Sequence, residues 1–97
     1  MHLNPAEFVI YKYGGLRRAA RVIGLDPSSV SKWQLKGTIP SGHQKNIILK
    51  AREAGLRITA SDIIFGKEVG DIKVLEIMPW LHEKKYYPHD YIYQVRP

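Results

Sequence analysis

Residues Gly14–Gly37, GGLRRAARVIGLDPSSVSKWQLKG, carry two short helical patterns on either side of a tight break at Gly24-Leu25-Asp26-Pro27. In the first pattern Leu16, Ala19, Ala20 and Ile23 recur at spacings of three and four, which sets them on one apolar face of a helix. In the second, Val30 and Trp33 point inward and leave Ser28, Ser29, Ser31, Lys32, Gln34 and Lys36 outward. The small Ala20 lets a second helix cross closely above it, and Gly24 has the backbone freedom that a sharp exit from a helix requires. Asp26 is positioned to cap the second helix, and Pro27 at its first position sacrifices no hydrogen bond. The spacing predicts a helix-turn-helix.

The flanking sequence reads as support for this unit. Residues 4–13 form a first helix, with Asn4 as cap, Pro5 in the first turn and Glu7 near the positive end of the dipole. Phe8 and Tyr11, three apart, mark its core face; the aromatics there serve packing rather than base stacking. Gly37 closes the second helix of the motif, and Ile39 anchors the turn after it. Ser41 caps a fourth helix to about Gly55, with Gln44 completing a capping box and Ile47, Ile48, Ala51 and Ala54 as the apolar stripe. Thr59 or Ser61 caps a last turn in which Ile63, Ile64 and Phe65 close the core. The fold class expected is mainly α: four helices and a short fifth over residues 1–66, then an extension over 67–97.

Charge separates the two parts. The chain has a net charge of +6; residues 1–66 hold ten Lys/Arg against four Asp/Glu, whereas 67–97 hold five of each. All excess positive charge therefore lies with the helix-turn-helix, the footprint of a polyanion partner such as double-stranded DNA. In this geometry the first helix of the motif crosses the DNA backbone, so Arg17 and Arg18 at its start pair with phosphate. Lys36, Thr38 and Lys45 offer further phosphate contacts, with Ser41 and His43 exposed beside them. The competing reading for each of these is a solvated basic surface.

Ala20, Gly24, Val30 and Trp33, at intervals of four, six and three, together with the continuation IPSGHQKNIILKAREAGLRITASDI, resemble the lambda-type repressor and Cro superfamily. Within it the chain is similar to compact phage Cro-like and YdaS-like regulators over about residues 6–66. The resemblance implies a lambda-repressor-like domain whose second motif helix enters the major groove. Base reading then falls on Ser28, Ser31 and Lys32, and phosphate contact on Ser29 and Gln34. The outer face has neither Arg nor Asn, a departure from the strongest base-reading chemistry that leaves the operator undetermined. The resemblance further implies a palindromic operator, a homodimer, and carboxy-terminal strands at the dimer contact.

The extension differs in character. Five of ten aromatics fall in 67–97. Asp71–Ile77 is β-prone, but its alternation slips where Val74 meets Leu75, which indicates a bulge or a helical turn. Tyr91, Tyr93 and Val95 alternate with Ile92, Gln94 and Arg96 as a strand, and a β-hairpin or dimerisation strand is expected. The same tyrosines suit a protein partner, so a second reading is a DNA-binding interaction module: an antitoxin, or an anti-CRISPR or its associated regulator.

Other classes find little support. The chain lacks cysteine and any run of ~20 apolar residues, and its amino terminus has no signal-peptide order, so a cytoplasmic protein of a bacterial host is expected. No phosphate loop, nucleophile–base pair or paired carboxylates points to catalysis, and no cofactor or metal is implied; His43, His82 and His89 lack ligand spacing.

Overall fold

A computed structural model gives the fold, and residues 1–81 are those described. It is mainly helical. The described elements are β1 (His2–Leu3), α1 (Pro5–Tyr13), α2 (Leu16–Ile23), α3 (Pro27–Lys36), α4 (Ser41–Glu53), α5 (Ala60–Phe65), β2 (Lys67–Glu68), α6 (Asp71–Ile77) and a 3-10 turn at Pro79–Leu81.

Helix α1 is the axis on which the others pack. The Asn4 side chain accepts from the Glu7 N–H at 2.9 Å and the Glu7 carboxylate accepts from the Asn4 N–H at 2.9 Å, a reciprocal capping box. Phe8 is buried as expected, but so are Ala6, Val9, Ile10 and Tyr13, while Tyr11 is only half-buried. The single core face read from the sequence is too narrow because α1 packs against α2, α3 and α5, and a helix enclosed on several sides is apolar nearly all round.

The α2–α3 pair follows its sequence closely. Ala19, Ala20, Ile23, Val30 and Trp33 are buried. Gly24, at φ +88°, turns the chain out of α2 while its N–H donates to the Ala20 carbonyl at 2.8 Å. Helix α4 departs in detail. It begins after Pro40, not at a Ser41 cap, and Gln44 Nε2 instead donates to the Ile39 carbonyl at 3.0 Å. Of its stripe, Ile47 and Ala51 are buried, Ile48 is half-buried and Ala54 is exposed.

Thr59 caps α5, its hydroxyl oxygen accepting from the Asp62 N–H at 3.2 Å and Asp62 Oδ2 accepting from the Thr59 N–H at 3.1 Å. Only Ile63 closes the core; Ile64 and Phe65 are 59% and 69% exposed. Successive helical residues turn by about 100°, so three neighbours cannot all face inward.

Beyond Gly66 the structure corrects the reading most. Asp71–Ile77 is helical, and the slip at Val74-Leu75 is its signature: Val74 and Met78, four apart, are buried, and Leu81 follows them. These three belong to the same buried cluster as the core residues of α1–α5. A two-stranded element exists, but it is β1 antiparallel to β2, with Leu3 opposite Lys67. The strand expected at Tyr91, Tyr93 and Val95 lies outside the described residues.

Gly66 makes that pairing possible. It sits at φ +77°, ψ −163°, and a Cβ there would lie 2.0 Å from the Leu3 carbonyl oxygen. One residue type fits so close a crossing. The Met1 ammonium completes the joint, donating to the Val69 carbonyl at 2.8 Å and pairing with Glu68 at 2.5 Å and Asp71 at 2.8 Å.

Candidate nucleic-acid interface

With Val30 and Trp33 directed into the core, the 100° step of α3 turns Ser28, Ser31, Lys32 and Leu35 to the opposite side. Ser28, Lys32 and Leu35 are exposed and Ser31 is half-buried. The three residues expected to read bases therefore share one surface. Leu35 joins them, 55% exposed. Sequence reasoning missed it by attending to polar residues; the signal was an apolar residue some 160° from Trp33 around the helix.

Asp26 marks the amino-terminal end of this surface. Its carboxylate accepts from the Ser28 N–H at 3.2 Å and from the Ser28 hydroxyl. The hydroxyl bond first, then the backbone bond, hold the Asp26 carboxyl below its ordinary value. The Ser28 hydroxyl thus donates to Asp26, which leaves its oxygen to act as an acceptor. Asp26 is the single acid between residues 16 and 36.

Two concavities flank α3. On one side Ser29, Lys32, Lys36 and Thr38 line a space of about 280 Å³ with Trp33 and Pro40. Two lysines and two hydroxyl-bearing residues border it, a donor set suited to a phosphate. On the other side Leu16, Ser31, Gln34, Leu35 and Trp80 line about 250 Å³. Gln34, expected at phosphate, lies on this second flank, away from Lys36 and Thr38.

Arg17 and Arg18 are exposed at the start of α2, and Lys45 is exposed on α4. Among the described residues Arg17, Arg18, Lys32, Lys36 and Lys45 have no carboxylate partner within 4.0 Å. The Arg18 guanidinium lies over the Gly14 turn. His43 does not join the basic surface as an open side chain; its ring packs 5.0 Å from the Trp33 ring at a tilt of 41°.

The surface is tied to the scaffold at the carboxy-terminal end of the helix that carries it and in the turn that follows. Asn4 Nδ2 donates to the Gln34 carbonyl at 3.2 Å, so the residue that caps α1 also holds the last turn of α3. Gln44 secures the following turn through Ile39. Neither tie is visible as a sequence pattern. Among the described residues no three His, Asp or Glu side chains converge to hold a metal ion, and no helix is long and apolar enough to cross a membrane.

No family model matches the chain, and neither a curated protein nor a solved structure is found to be similar to it.

Proposed function

We propose that this protein is a sequence-specific double-stranded DNA-binding repressor of the phage Cro type, acting in the cytoplasm of a bacterial host. The observation that carries the reading is the surface of α3. Ser28, Ser31, Lys32 and Leu35 stand opposite the buried Val30 and Trp33, and Arg17 and Lys36 have no acidic partner among the described residues. Helix α3 enters the major groove, Arg17 and the Ser29–Lys32–Lys36–Thr38 concavity take the phosphates on either side, and occupancy of a promoter blocks transcription. One ten-residue helix reads too few base pairs for useful selectivity, so a dimer on a palindromic operator, its recognition helices about 34 Å apart, supplies the rest.

A second reading keeps the DNA contact and adds a protein partner, as an antitoxin or an anti-CRISPR-associated regulator does. The exposed Ile64, Phe65 and Ile72 favour a protein contact of some kind, with a second copy or with another chain. Footprinting on the DNA upstream of the gene, at two salt concentrations with random duplex as control, tests the first reading. A short symmetric protected site bound far more tightly than random duplex supports it. Weak, salt-sensitive binding with no sequence preference would sink the repressor reading and turn attention to the partner.

A further inference from the structure

Leu35 and Trp80 are large apolar side chains left 55% and 45% exposed. They share the walls of one concavity with Leu16, Ser31 and Gln34. Three separate elements meet there: the start of α2, the later half of α3, and the 3-10 turn that follows α6. Apolar exposure gathered at the edge of a cationic surface calls for an occupant that is both polyanionic and locally apolar. Arg17 and Lys32, which have no acidic partner among the described residues, supply the attraction. In the major groove of DNA one base edge is apolar, the 5-methyl group of thymine. The Gln34 side chain makes no hydrogen bond among the described residues, although its carbonyl is taken by Asn4. An amide presents a donor and an acceptor together, the pair that adenine N7 and N6 require. The apolar and polar walls of this concavity match the two halves of an A·T pair.

We propose that this concavity reads an A·T pair, with Leu35 and Trp80 packed on the thymine methyl and the Gln34 amide paired with adenine. The inference rests on the DNA-binding reading above. It makes Trp80, outside the helix-turn-helix, a specificity determinant, and it moves Gln34 from phosphate to base.

The test uses the full chain. Duplexes retained from a randomised pool give the preferred site, and each thymine in that site is then replaced by uracil, which removes only the methyl group. One position is expected where uracil weakens the unaltered protein about 4-fold, the effect of a buried methyl-sized group. Leu35→Ala and Trp80→Ala are each expected to bind the thymine and uracil duplexes equally. Both side chains are exposed, so neither change empties the core. Gln34→Ala is expected to lose the adenine preference at the same base pair. Uracil tolerated at every position, or a penalty that persists in both apolar variants, overturns this assignment while leaving DNA binding intact. A pool with no enriched sequence and no retained duplex overturns the DNA-binding reading itself.

Discussion

Gly66→Ala tests the joint that brings residues 67–81 onto the core of α1–α5. Two costs combine at this position. The backbone, at φ +77° and ψ −163°, occupies a region that side chains other than glycine rarely enter, which costs about 1–3 kcal/mol. The added Cβ would also lie 2.0 Å from the Leu3 carbonyl oxygen and 3.1 Å from two backbone atoms of Asn4. Those are main-chain atoms of the β1–β2 pairing and of the α1 cap, so relief requires moving both. Overpacking of this kind costs roughly 1–3 kcal/mol more. A total on the order of 2–6 kcal/mol is a large part of the ~5–15 kcal/mol that stabilises a domain. At about 4–8 °C per kcal/mol, the melting temperature should fall by at least ~8 °C. Gly24→Ala is the control. Its φ is +88°, but a Cβ there meets nothing within 4 Å, so only the left-handed cost of about 1–2 kcal/mol remains. Thermal and urea denaturation of the two variants measure the difference. Equal losses would refute the close crossing of Gly66 over Leu3 and with it the shared core.

Three further predictions concern the surface and the amino terminus. Lys32→Ala should weaken the preferred site by about 1–3 kcal/mol and relax one base position, whereas Arg17→Ala should weaken all duplexes alike and lower the salt slope by about one. Identical effects in a titration against salt would contradict the docking orientation. Asp26→Asn removes the one negative charge on this surface while keeping a capping oxygen; affinity for random duplex should rise roughly 2- to 5-fold, with stability unchanged within ~0.5 kcal/mol. Weaker binding would mean that Asp26 itself contacts a base. The Met1 ammonium is held above its ordinary value of 8.0 by Asp71 and then Glu68. Because the folded pKa is raised, the contribution of this contact is complete below the ordinary value and is lost as pH climbs through the raised one. Melting curves should therefore show wild type exceeding a Glu68→Gln/Asp71→Asn variant below the ordinary value of 8.0, with the gap closing as pH rises beyond it. A gap that does not change with pH would assign the difference to packing.

The residues between Gly14 and Gly37 dictated their own structure because every cue there is local. Periodicity, a cap at Asp26, proline at the first helical position and glycine at both exits act within a few residues of chain, and no distant contact opposes them. The same holds for the Asn4 capping box and, in outline, for the inward Val30–Trp33 stripe that leaves Ser28 and Lys32 outside. The reading stayed open, or failed, where local preference was balanced. Asp71–Ile77 is rich in residues that suit a strand, and burial of Val74 and Met78 on one helical face decided the matter. Ile64 and Phe65 look like core in composition, but a six-residue helix held by Thr59 and Asp62 has one inward face, and Ile63 takes it. The candidate surface divides in the same way. Its serines and Lys32 were legible from helical phase alone. The Asn4–Gln34 tie, the meeting of Trp80 with Leu35, and the passage of Gly66 across Leu3 join residues 30, 45 and 63 positions apart in the chain. No spacing rule reaches that far, because such contacts arise only when packed helices bring their ends together, and so tertiary structure alone decided them.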